Sequence, residues 1–212
     1  MLFPLTCPVC GAVGAAPCAT CVASLRSATP GPLPAGTSSC RALLDYSGAG
    51  RELVARLKYR NARSSLRWLA AAMAMLVDPA AVDVVTWAPT TSARRRARGF
   101  DQAQLLARAV ARNLNRPCRR LLTRRNGPAQ TGRDQDGRRA GPSFGAKRRA
   151  PARVLLIDDI VTTGATVGAA ARALRESGAT EVQVLAAAHT SRRAYNPNRD
   201  GSHDSMPACR PT

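Results

Sequence analysis

The chain has 212 residues, with 32 Lys+Arg against 13 Asp+Glu and a formal net charge of +19. Only 4% of residues are aromatic, so a core must be built from Val, Leu, Ile and Ala, for which the 45% hydrophobic content is sufficient. No apolar run reaches the roughly 20 residues needed to span a bilayer, so membrane insertion is not expected.

The basic excess is almost all Arg, with Lys only at Lys58 and Lys147. It points to polyanionic partners, either nucleic acid or phosphorylated small molecules, or to a general compositional bias towards Ala and Arg. Residues 1–5 are apolar but lack a basic n-region, so no secretory signal is expected and the chain reads as cytoplasmic. In a reducing compartment the seven cysteines read as metal ligands or free thiols.

The amino-terminal segment, residues 1–26, carries CPVCGAVGAAPCATC. Cys7, Cys10, Cys18 and Cys21 form two C-x-x-C knuckles, and together they make the tetrahedral thiolate set of a closed structural Zn²⁺ site. An iron–sulfur cluster, a redox dithiol pair or a degenerate knuckle are the other readings. Cys40, Cys118 and Cys209 have no such neighbours and read as ordinary thiols. Residues 27–39 are rich in Pro, Gly and Ser and read as a linker.

An αβ domain over residues 40–190 is expected next. RALLDYSG reads as a strand and GRELVARLKYR as a helix. SSLRWLAAAMAMLV predicts a second helix capped by Ser64 or Ser65. A buried strand over 82–89 ends at Pro89, and FDQAQLLARAVARNL places Ala103, Leu106, Val110 and Leu114 on one helical face. Residues 123–152 are polar, basic and glycine-rich and read as a long loop, a candidate lid over bound ligand. A strand over 154–157, a turn and a helix over 166–177 follow, then a last strand in TEVQVLAAAHT. Residues 191–212 lack periodicity and read as a disordered tail. The alternation of strands and helices predicts an α/β parallel sheet flanked by helices.

The chemistry concentrates in RVLLIDDIVTTGATV. Asp158 and Asp159 fall at the carboxyl end of a strand, where open αβ sheets bind ligands. Thr162, Thr163, Gly164, Ala165 and Thr166 lead into a helix whose N–H groups and dipole form an anion cradle. A phosphate on that cradle and a diol on the acidic pair describe a ribose 5-phosphate; the bland alternative is a pair that merely marks a strand end. Neither G-x-x-x-x-G-K-[ST] nor G-x-G-x-x-G is present, and His189 and His203 fit no catalytic triad.

The stretch VLLIDDIVTTGAT resembles the phosphoribosyl-pyrophosphate (PRPP) signature of type I phosphoribosyltransferases. The resemblance implies that Thr162, Thr163, Gly164, Ala165 and Thr166 hold the 5-phosphate. Asp158 and Asp159, the candidate catalytic pair, would then contact the ribose hydroxyls, and PRPP would be bound with Mg²⁺. The order of four cysteines, LKYR, WAP, RRRARGFDQAQLLA, PAQTG and the PRPP motif is similar to the ComF (competence protein F) family. Asp101 stands where that family usually has Asn. Gln130, Arg138 and Phe144 match its loop, which lacks the family's Asn and has Ser143 for Ala.

A PRPP site needs donors for pyrophosphate, and Arg98 is the expected contact; Arg94, Arg95 and Arg96 are either further donors or a solvated basic loop. Lys58, in the family's Lys-Tyr position, is a further candidate or a surface residue. Two functions are therefore expected: PRPP binding, with phosphoribosyl transfer to an unknown acceptor, or single-stranded DNA handling in competence, which the second family implies.

Overall fold

The computed structural model describes residues 5–57, 63–125 and 142–190. In chain order the elements are α1 (Ala19–Ala23), β1 (Ser39–Asp45), α2 (Gly48–Arg56), α3 (Arg63–Ala74), β2 (Val84–Trp87), α4 (Ser92–Arg98) and α5 (Gln102–Asn113). They continue with β3 (Leu122–Arg125), β4 (Ser143–Ala146), β5 (Arg153–Val161), α6 (Ala165–Glu176) and β6 (Glu181–His189). A 3₁₀ turn at Pro79–Ala81 precedes β2.

Strands β1, β6, β5 and β2 form a parallel sheet in that order. The expected α/β architecture is therefore present. A parallel sheet is covered on both faces, so its central strand is apolar almost throughout. Side chains of β5 alternate between two cores, as a period of two requires. Leu155 and Ile157 join Leu53, Leu69, Met73, Leu106 and Val110 from α2, α3 and α5. Val154 and Leu156 face α6 and the small hairpin, among Val167, Ala170, Leu174, Leu122 and Phe144.

Both sheet edges are covered. On the β1 side, the Asp45 N–H donates to Arg26 O at 2.9 Å and the Ala28 N–H to Leu43 O at 3.2 Å. On the β2 side, the Val85 N–H donates to Pro117 O at 2.9 Å and the Arg119 N–H to Val85 O at 3.0 Å. Such cover removes the exposed ladder that invites strand-to-strand association. Residues 27–38 contain no helix or strand. Beyond the β1 edge they are fastened to α6, where Arg175 donates to Gly36 O at 2.6 Å and to Ser38 Oγ at 2.9 Å.

Four sequence expectations need correction. First, α3 starts at Arg63, so Ser64 and Ser65 lie inside it and neither caps it; the Ser65 hydroxyl is buried without a partner among the described residues. Second, the ends of the 123–152 loop are not loop. Leu122–Arg125 and Ser143–Ala146 pair antiparallel because Leu122 and Phe144, both buried, fix one face against α6. Third, the Arg94–Arg98 stretch is the helix α4 rather than a loop. It buries no residue, so it carries no amphipathic signal; Thr91 caps it, accepting from the Arg94 N–H at 3.2 Å.

Fourth, β5 runs to Val161 instead of stopping at Ile157, because β6 continues beside it with Val161 opposite His189. Asp158 and Asp159 thus belong to the strand. The helix α6 is offset by one residue from the expected 166–177, within the usual uncertainty of helix ends. Lys58, Gln130, Arg138, Cys209, His203 and the tail 191–212 lie outside the described residues. No helix among the described residues is long and apolar enough to cross a membrane.

Candidate functional site

After Val161 the chain turns through exposed Thr162 and Thr163 to Gly164, which is buried and caps α6 at φ +76°. A side chain would be strained at that angle, and a Cβ there would lie 2.8 Å from Pro34 Cγ. The Thr163 hydroxyl accepts from the Ala165 N–H at 3.4 Å. The first intrahelical bond runs from the Gly168 N–H to Gly164 O at 2.8 Å. The amides of Thr166 and Val167 belong to a first turn without intrahelical acceptors, at the positive end of a 12-residue helix. The five residues expected to form the anion cradle are therefore together.

Asp158 is 8% exposed and Asp159 half-buried. Strand β2 ends at Trp87, opposite Ile157, so both carboxylates lie just beyond β2. The Asp159 N–H donates to Asp158 Oδ1 and the Ile160 N–H to Asp159 Oδ1, each at 2.9 Å. Among the described residues neither carboxylate pairs with Lys or Arg. Burial, and then the neighbouring charge of Asp159, pushes the Asp158 carboxyl well above its ordinary range; Asp101 adds to the effect. A diol or a cation placed there would satisfy acceptors that the protein leaves without a positive partner.

Beyond the end of β2 is a cavity of about 90 Å³ lined by Arg95, Arg120, Arg124, Thr90, Asp101 and Gln104, among others. Arg124 is held on both sides: it donates to Pro89 O at 3.4 Å and lies 5.4 Å from the Phe144 ring centroid. Burial lowers its pKa, the charge of Arg94 lowers it further, and Asp158 opposes both. Arg124 therefore shares an electrostatic neighbourhood with Asp158. Sequence reasoning passed over it because it lay in the supposed loop. The available signal was the two-residue spacing that puts Arg124 on the same face of a strand as Leu122.

Arg98 is half-buried and donates to Gln102 Oε1 at 2.7 Å, which ties it back to α5. Arg94, Arg95 and Arg96 are exposed. Buried Asp101 fixes this region: one oxygen accepts from the Thr90 N–H at 3.0 Å and the other from the Gln104 N–H at 3.4 Å. An Asn side chain has a single acceptor oxygen, so Asp at this position serves both amides at once.

The four cysteines of the amino-terminal module converge, with all sulfur atoms within 4.8 Å of one another. Cys10 Sγ and Cys18 Sγ are 3.8 Å apart, the edge length of a tetrahedron built on Zn–S bonds of about 2.3 Å. Burial pushes the Cys7 thiol up, but amides of Cys10, Cys18 and Val9 outweigh it and hold the thiol at about 6. Burial and the three other thiols push Cys21 up. Four thiols this close cannot all ionise without a cation, so the donor set fits Zn²⁺.

Comparison with known proteins assigns the family. The chain belongs to the phosphoribosyl transferase domain family, which it matches over residues 102–207. It is 30% identical over 144 residues to competence protein ComFC of Bacillus subtilis, an alignment covering 65% of this chain and 58% of that protein. The chain thus spans less than two thirds of that relative. Among solved structures, a purine phosphoribosyltransferase from Pyrococcus horikoshii matches at 13% identity and a TM-score of 0.39, over 59% of this chain and 83% of that one. Glutamine PRPP amidotransferase from B. subtilis, complexed with ADP and GMP, matches at 22% identity and a TM-score of 0.43, over 63% of this chain and 30% of that one.

The raised pKa of Asp158 has a measurable consequence. A folded state that holds this proton more tightly than the unfolded chain has its full stability below the ordinary carboxyl range and loses it as pH rises from that range up through the raised folded value. Asp158→Asn is expected to unfold at a higher temperature than wild type at neutral pH. The difference should shrink as pH falls below about 4, where an unfolded Asp is protonated too. A gap that is independent of pH, or a less stable variant, would contradict the assignment.

Proposed function

We propose that the chain binds PRPP with Mg²⁺ at the carboxyl end of β5. The observation that supports this is the order of two carboxylates at the end of β5, followed directly by an anion-cradling turn into α6, with Arg124 in the electrostatic neighbourhood of Asp158. In this reading Thr162, Thr163, Gly164, Ala165 and Thr166 receive the 5-phosphate, Asp158 and Asp159 accept from the ribose hydroxyls, and Arg124 binds the pyrophosphate. Arg98 joins Arg124 only by leaving Gln102, so Arg124 is the better placed donor. Bound Mg²⁺ would supply charge neutralisation for the pyrophosphate, and the cation-free acidic pair is compatible with a metal-bound ligand.

Transfer to an acceptor would need little proton chemistry from this site. As pyrophosphate leaves, positive charge develops at the ribose carbon. The fixed carboxylates stabilise that charge, and Arg124 stabilises the departing anion.

Calorimetric titration of PRPP with Mg²⁺ tests the reading. Wild type should bind, Asp158→Asn/Asp159→Asn should lose most of the heat, and Arg124→Ala should bind roughly 10- to 100-fold more weakly, the loss of a charge-assisted contact of about 1.5–3 kcal/mol. Absence of heat with wild type would overturn it.

We infer that zinc fills the four-cysteine site. Elemental analysis should find about one zinc per wild-type chain and far less in Cys7→Ser; equal content would reject the assignment.

A second reading, single-stranded DNA binding, is favoured by the exposed Arg94, Arg95 and Arg96 on α4 and by the similarity to a competence protein. Contact would be electrostatic, since few aromatics are available for base stacking. Affinity should then fall steeply with salt, and replacing the three arginines with Ala should flatten the log–log slope by up to about 2. An unchanged slope would exclude α4 as the contact.

A further inference from the structure

The amino-terminal module is part of the main core. Cys7, Val9 and Cys21 lie in the same apolar cluster as Leu53, Leu69 and Leu106, and Leu25 packs against it. From there residues 26–28 are pinned along β1. The chain then crosses the carboxyl ends of β1 and β6. Gly31 lies flat on the His189 ring, where a Cβ would come within 2.7 Å of Cε1.

Next, Pro34 covers Gly164, and Ala35 O faces Gly168, where a Cβ would lie 3.2 Å away. Thr37 closes this passage as a turn, its hydroxyl donating to Pro34 O at 2.6 Å. Arg175 then holds Gly36 and Ser38. One strap without helix or strand thus runs from the last cysteine knuckle to the phosphate turn and the first turn of α6.

A segment without its own ladder is positioned by its anchors. Its upstream anchor is a module whose folding depends on joining four thiols around a cation. Its downstream contact is Pro34 on Gly164, the residue that sets the angle at which α6 presents its first amides. Loosening the upstream end leaves that turn less ordered, and a ligand must then supply the ordering on binding.

We propose that residues 27–38 couple metal binding at the four cysteines to the order of the Thr162–Thr166 turn, so that the metal and an anion bound at that turn strengthen each other. Linkage makes the effect reciprocal. The ligand arm rests on the sugar-phosphate reading above; the coupling itself does not.

The test compares zinc-loaded and zinc-stripped wild type with the same two forms of Pro34→Gly, which removes the contact on Gly164 and spares every cysteine. Two quantities are read: hydrogen exchange of the amides at 162–168, and affinity for ribose 5-phosphate, a probe that needs no Mg²⁺. Stripping zinc from wild type should speed exchange at the turn and weaken binding at least about fivefold. Zinc-loaded Pro34→Gly should already show the faster exchange and weaker binding, and stripping it should change neither further. If zinc-stripped wild type unfolds altogether, zinc-loaded Pro34→Gly decides, because wild-type exchange and affinity in that form would overturn the coupling. So would a wild type indifferent to zinc. Zinc-dependent exchange without ribose 5-phosphate binding in any form would support the coupling and sink the sugar-phosphate reading alone.

Discussion

Asp158 sits where β5 has lost one neighbour. β2 stops at Trp87, opposite Ile157, whereas β5 and β6 run four residues further. This difference in strand length leaves the carboxyl end of β5 without a strand on the β2 side. Gly164 and the start of α6, with Pro34 against them, follow directly from that end. Arg124 and Asp101 act electrostatically on Asp158 there. Had β2 matched β5 in length, the two carboxylates would lie against a strand, where a buried charge has no recourse but protonation.

The two ends of β5 show opposite electrostatic solutions. At the amino end, Asp83 pairs with Arg153 at 2.6 Å, and the half-buried Asp83 carboxyl is held below its ordinary range by that guanidinium. At the carboxyl end, a chain with 32 basic residues leaves Asp158 and Asp159 without one in contact among the described residues. The nearby arginines are directed elsewhere: Arg98 to Gln102, Arg124 to Pro89 and Phe144. This arrangement keeps Arg124 in the electrostatic neighbourhood of Asp158 without an ion pair between them.

What could be read in the sequence was whatever relies on local pattern. The run from Val154 to Ile157 is apolar because β5 is buried on both faces, and the spacing of Ala103, Leu106 and Val110 is that of a helix face against the sheet. The C-x-x-C pairs fix their own geometry. The remaining features depend on partners distant in sequence. The β3–β4 pair is four residues on each side and is recognisable only through burial of Leu122 and Phe144 on α6. Helix α4 has no buried face to reveal it. The strap reads as linker because its contacts are one proline and a few glycines, whose value lies in what they approach rather than in what they are. In the candidate site, Asp158 and the turn were legible from type and order; Arg124 was not, since its placement follows from the hairpin.

The strand order also imposes a schedule on synthesis. Among the described residues β1 has no sheet neighbour except β6 and the segment at residues 26–28, and Val182 meets Ser38 across 144 positions of chain. A chain emerging amino-end first therefore displays its cysteine knuckles and β1 long before β6 exists to receive them. The knuckles span only residues 7–21, yet Cys7 and Cys21 pack on Leu53, Leu69 and Leu106, and β1 and the strap must wait longer still, until nearly the whole domain has been translated. Nascent chains of this protein thus pass through a stage in which the amino-terminal segments lack the partners that later cover them, the kind of intermediate that chaperones engage.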